Sequence, residues 1–257
     1  MDNFYYVLLT NIVIIVSFAT FIVLLSVHIA KKKKPNFFAY FIALLCCVGM
    51  YLFVPARYLC LGYAFQSPEL LEKSIKFSII PYEKALAYSY LSDIYNYDIS
   101  NDGVKDGNKA IEYMEKALNG EYSKYSFETD KLATLYSIKG DYSKTLELNN
   151  VMNKKQSLSL LNMYIMNNNY EKALETFPQN DKSRAAFLKA DLYKKLGKIS
   201  DAERTKKIAN QIYATQLNNY KDSSSRSKYI EDTKKYRSVE AYKNWLRKQA
   251  KEYKFAY

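Results

Sequence analysis

The residues best suited to chemistry in this chain are cations. Lys194, Lys195 and Lys198, then Arg204, Lys206 and Lys207, then Lys234, Lys235 and Arg237, then Arg247, Lys248, Lys251 and Lys254 form four clusters in its last quarter. Residues 1–181 carry 18 Lys plus Arg and 18 Asp plus Glu, whereas residues 182–257 carry 20 basic and 8 acidic residues. The whole formal charge of +12 therefore lies in the last 76 positions. Clusters of this kind recognise anions: a lipid head group, an acidic envelope polymer or an acidic protein surface. The plainer reading of any single run is a solvated basic face. Basic residues interleaved with Tyr and Trp also stack nucleic-acid bases, but that signal is generic.

Covalent and metal chemistry find little in the sequence. The single histidine, His28, sits at the end of a long apolar run, so a His-based triad or general base is not expected in the polar region. Asp98, Asp102 and Asp106 lack the twelve-residue ligand pattern and terminal Glu of a calcium loop, and read as turn formers. Cys46 and Cys47 adjoin in an apolar stretch, Cys60 follows it, and the rest of the chain has no cysteine, as suits export to an oxidising compartment. No enzyme activity, cofactor or metal is expected.

The elements that must position the cations begin with two apolar runs. Phe4–Ala30 has no formal charge. At about 1.5 Å per residue it exceeds the roughly 30 Å hydrocarbon core of a bilayer. Phe37–Val54 is a second such run, trailing through Pro55 and Arg57 towards Phe65. Spans over 4–30 and 37–58 are expected, forming a transmembrane hairpin within 1–61. The start Met1-Asp2-Asn3, which has no Lys or Arg, and the length of the first run argue against a cleaved signal peptide. The loop Lys31-Lys32-Lys33-Lys34 is expected on the cytoplasmic side, which puts both chain ends outside the cytoplasm, in a bacterium in the periplasm or beyond.

Beyond the hairpin the sequence repeats itself. Lys131 to Leu148 reads as helix, Gly140-Asp141-Tyr142 turn, helix. The same grammar returns around Tyr164 and Asn167-Asn168-Asn169-Tyr170, and again around Tyr193 and Gly197-Lys198. In each unit a Tyr (Tyr136, Tyr164, Tyr193) precedes the turn, and a small residue (Thr145, Ala173, Ala202) follows nine positions later. Gly140, Asn168 and Gly197 occupy the position where a positive φ is cheapest. A variant unit starts near Glu83, with Tyr88, Leu91 and Tyr95 on its first helix, a longer loop over 98–107, and Lys109–Gly120 as its second, where Ala110 and Ala117 share a face.

These units resemble the tetratricopeptide repeat family, and the first is similar to the Sel-one-like repeat. The resemblance covers roughly residues 83–210 and implies an all-α solenoid of helical hairpins that binds protein partners on a concave wall of first helices. On that wall it implies Asp93, Asn96, Asp130, Thr134, Asn162, Arg184, Asp191, Lys194 and Lys195 as exposed partner-binding residues. The small-residue positions are 35, 28 and 29 apart, against a family period of about 34, so an irregular superhelix is expected. Leu158 and Leu188 stand where carboxylate-clamp cations would be expected, which disfavours recognition of a chaperone C-terminus.

The expected organisation is therefore a hairpin over 1–61, a membrane-proximal linker helix over 62–82, repeats over 83–217 and a basic C-terminal helix over 218–257. In the tail Tyr236, Val239, Tyr242, Trp245, Leu246 and Tyr253 recur at helical spacing, as a helix capping the last apolar face would require, a docking or membrane-surface helix being the alternative. The expected function is a membrane-anchored scaffold or assembly factor that docks acidic protein partners of a bacterial envelope complex, at the inner membrane with its repeats on the far side from the cytoplasm. The alternative is a membrane-bound immunity-type or anionic-ligand-binding protein. Nucleic acid as partner would need the opposite topology or an extracellular role.

Overall fold

The computed structural model describes residues 54–97, 105–119, 126–177 and 185–255. Both expected spans apart from residues 54–58, the Lys31–Lys34 loop and Arg184 lie outside these residues. Among the described residues every regular element is helical, and no helix is long and apolar enough to cross a membrane. The chain divides into two compact units, the boundary falling within the helix Gly107–Leu118.

The first unit is built on a helical segment over 54–64, α1 (Pro68–Phe77) and α2 (Pro81–Tyr97). α1 begins where the sequence says it should: the Ser67 side chain accepts from the Leu70 N–H, and Pro68 at the first helical position has no N–H to lose. Leu59, Leu71, Ala87, Leu91 and Ile94 interlock as its core. Ser74, fully buried, donates to the Pro55 carbonyl at 2.9 Å, which ties α1 to the preceding helical segment. Tyr113 of α3 (Gly107–Leu118) stacks on Tyr88 and Tyr95 and donates to Glu72. Burial pushes the Tyr113 hydroxyl up to about 12, with the Glu72 charge adding to it.

The second unit contains α4 (Ser126–Lys139), α5 (Tyr142–Val151), α6 (Leu158–Met166), α7 (Tyr170–Glu175), α8 (Ala186–Lys195), α9 (Ile199–Asn219), α10 (Ser223–Lys234) and α11 (Val239–Glu252). α4 packs on α5, α6 on α7 and α8 on α9, each pair joined by a tight turn, and α4 and α5 both pack on α6. The three turns are built alike. Gly140, Asn168 and Gly197 have φ of 86°, 58° and 71°, the left-handed conformation expected from the sequence. The next N–H, of Asp141, Asn169 or Lys198, donates to the carbonyl of Tyr136, Tyr164 or Tyr193 at 3.0, 2.9 and 3.0 Å. This is the helix-terminating bond that a left-handed residue makes possible. Asp141 and Asn169 then cap the following helix, accepting from the N–H of Lys144 and Lys172. Thr145 and Ala173, one turn further on, are fully buried and Ala202 nearly so, which lets the paired helices approach closely.

The last helix does not sit on the end of the stack. α11 packs across α4, α6 and α8, burying Val239, Tyr242, Leu246 and Ala250 against them. Its sequence pattern is that of a cap; its place is along the first helices of three successive hairpins. The chain then closes on the first turn of α3. The Gly107 N–H donates to the Tyr253 carbonyl at 2.9 Å, and a Cβ at Gly107 would fall 2.3 Å from the Phe255 ring, so only glycine fits there.

Candidate functional site: a basic cleft beside a filled groove

Two of the expected wall residues, Asn162 and Asp191, are held by α11. Asn162 is fully buried, not exposed: its Nδ2 donates to Ser137 Oγ at 3.1 Å, and its Oδ1 accepts from the Tyr242 hydroxyl at 2.8 Å. Asp191 is half-buried and accepts from the backbone N–H of Val239 at 2.8 Å, serving as a second cap on α11 beside Ser238. Asp130 pairs with Lys154, and the Thr134 hydroxyl donates to the Asp130 carbonyl within its own helix. In the first unit Asn96 is buried and Asp93 half-buried. The expectation of an open polar wall is thus corrected: among these residues Lys194 and Lys195 are the exposed ones, at the C-terminal end of α8, where cations complement the helix dipole. The physical reason is that polar side chains inside a protein are tolerated when their hydrogen bonds are complete, and α11 completes those of Asn162 and Asp191.

A second buried polar cluster joins α5 to α6. Asn149, 1% exposed, donates to the Thr145 carbonyl and to Ser159 Oγ and accepts from Ser157 Oγ. Neither cluster is detectable from periodicity, because Asn and Ser carry no hydrophobic signal.

The basic residues of the tail fare differently. Lys194, Lys195, Lys198, Arg204, Lys206 and Lys207 are all exposed on α8, α9 and the turn between them, as are Arg247 and Lys248 on α11. Arg247 pairs with Glu240, Lys248 with Glu252 and Lys234 with Glu231. Lys235 lies over the Trp245 ring, 4.6 Å from its centroid.

One group of these cations is brought together. A cleft of about 280 Å³ lies between α8, α9 and the turn that precedes α11, and Lys194, Lys206 and Arg237 line it together with Asp191 and Glu203. The Arg237 guanidinium stands 4.1 Å from the Phe187 ring centroid and 4.4 Å from that of Tyr213, a cation held by two π faces. Phe187 and Tyr213 meet edge to face and pack with Ala186 and Ala209. The sequence marks Arg237 as one of a basic cluster but does not mark its aromatic cradle, since the rings of Phe187 and Tyr213 lie 50 and 24 residues before it in the chain.

Among the described residues no group of three or more His, Cys, Asp or Glu side chains is placed to hold a metal ion. Comparison of the chain with protein-family models, curated proteins and solved structures finds no match.

Proposed function

We propose that this chain is a membrane-anchored helical-repeat scaffold that docks an acidic protein partner through the basic end of its second unit. In this reading α4–α9 are three hairpins of tetratricopeptide type, the two N-terminal apolar runs are the anchor, and the repeats stand on the far side of the membrane from the cytoplasm. Nothing in the role asked of the chain is catalytic. The observation that carries the proposal is the segregation of charge: residues 1–181 are balanced, whereas the exposed cations of α8 and α9 belong to a region with 20 basic and 8 acidic residues. The three equivalent turns support the repeat reading, because identical hydrogen bonds at Tyr136, Tyr164 and Tyr193 are what tandem units produce. The filled groove bears on where docking happens: with α11 seated along the first helices, the outer basic surface is the face left to a partner.

The test is affinity capture of the full-length protein from its native membrane. A stoichiometric partner is expected with the natural chain, and charge reversal at Lys195, Lys198, Arg204 and Lys207 should abolish its recovery. Raising ionic strength from low to physiological should weaken recovery in the same direction, since exposed charges are screened beyond about 8–10 Å. Unchanged recovery after charge reversal would return these residues to a solvated face.

A further inference from the structure

We propose that the cleft between α8, α9 and the turn before α11 is a carboxylate-binding site, taking an acidic side chain or a C-terminal carboxylate of a protein partner. The inference rests on the docking reading for the identity of the ligand's owner, and on the geometry for its chemistry.

Arg237 is the anchoring residue. Its guanidinium lies against the Phe187 and Tyr213 rings, and among the described residues its N–H groups have no hydrogen-bond or ion-pair partner. A cation held over rings keeps its donors for a ligand, and a guanidinium fork matches the two oxygens of a carboxylate. The position is also fixed in advance. Arg237 lies two residues before Val239, whose N–H is bound by Asp191, and Ser238 caps α11 through the Ala241 N–H at 3.1 Å. The turn that carries Arg237 is therefore clamped, and less ordering remains to be done on binding.

The rest of the lining selects the class of anion. Three cations, Lys194, Lys206 and Arg237, face two carboxylates, Asp191 and Glu203, leaving a surplus of one positive charge. A monoanion neutralises that surplus, whereas a phosphate dianion overshoots it and meets Glu203. Phe187, Ala190, Ile199 and Ala202 supply an apolar part of the wall, suited to the carbon chain next to a carboxylate. A volume of about 280 Å³ admits a side chain and its immediate neighbours rather than a folded element.

The experiment uses the full-length protein in nanodiscs of zwitterionic lipid and ligand-observed NMR. The probes are acetyl-Leu-Glu-Leu-amide, acetyl-Leu-Leu with a free C-terminus, the neutral acetyl-Leu-Gln-Leu-amide, and inorganic phosphate as competitor. One or both carboxylate peptides should bind, and whichever does identifies the source. The neutral peptide should bind at least about tenfold more weakly, as should either acid to Arg237→Met, while Arg237→Lys keeps part of the affinity. Arg237→Met retains an apolar stem over the rings, and an unchanged melting temperature confirms that the loss is local. Lys228→Gln, an exposed cation of α10 outside the cleft, should leave affinity unchanged. Equal binding of the neutral peptide, equal losses in Lys228→Gln and Lys194→Gln, no effect of Arg237→Met, or phosphate displacing the acids at lower concentration than they bind would each overturn the proposal. Its failure is separable from that of the docking reading. Partner capture that survives Arg237→Met but not charge reversal on α8 and α9 sinks the cleft alone. Peptide binding without any captured partner sinks the docking reading alone.

Discussion

Tyr242 donates to Asn162, Asn162 donates to Ser137, and Ser137 donates to the Thr134 carbonyl, so side chains from α11, α6 and α4 share one polar line inside the second unit. Both Tyr242 and Asn162 are fully excluded from solvent. Removing one member of such a line leaves its neighbour buried without a partner, which costs the neighbour's full desolvation, about 1–3 kcal/mol. Tyr242→Phe keeps the ring and its packing against Tyr236 and Trp245 but strands the Asn162 oxygen. Denaturant unfolding is expected to show a stability loss in that range with an unchanged dependence on denaturant. A loss near zero would mean that water reaches Asn162 and that α11 is not tightly seated. At this scale the sequence is a partial guide. Gly140, Asn168 and Gly197 are legible because positive φ has a short list of tolerant residues. Asn162 is not, because polarity at helical spacing reads as exposure until the side chain that satisfies it is known.

Helix boundaries follow local chemistry closely. Ser67, Asp141, Ser157, Asn169, Asp222 and Ser238 each accept from a backbone N–H three residues on, and each is of the type a helix start demands. The destination of a helix is less legible than its ends: α11 shows its apolar stripe in the sequence, but a stripe does not say which groove receives it. The Ser-rich segment Asp222–Ser227 has the composition of a flexible break but is the capped start of α10, because Asp222 supplies a strong acceptor at the Ser225 N–H, 2.6 Å away. That hydrogen bond, with others from the same turn, holds the Asp222 carboxyl below its ordinary range. The stability it contributes to α10 is present above the unfolded Asp value of about 3.9 and is lost as pH falls through the lower folded value. Amide exchange at residues 224–226 is expected to accelerate over that acidic interval, relative to the intrinsic rate. Asp222→Asn, which caps without titrating, should remove the pH dependence. If the natural chain and the variant respond alike to acid, the cap does not control α10.

At the scale of the whole molecule the distribution of charge decides more than any single residue. The four lysines Lys31–Lys34 separate the two apolar runs, and the basic tail lies far beyond the second. Short cationic loops are held on the cytoplasmic side, whereas charge in a long following domain has little influence on orientation. In the proposed topology the +12 tail does not oppose export, although by simple counting it outweighs the loop. An alkaline phosphatase reporter fused after Tyr257 is expected to be active with the natural chain, and a green fluorescent reporter at the same place to be dark. Replacing Lys31–Lys34 by Asn and placing four lysines after Met1 should reverse both readings, because the bias then favours an inward start. A fluorescent C-terminus on the natural chain would put the basic cleft and the cations of α8 and α9 in the cytoplasm. The partner would then have to be sought among cytoplasmic acids, with the docking chemistry of Arg237 unaltered and the envelope role gone.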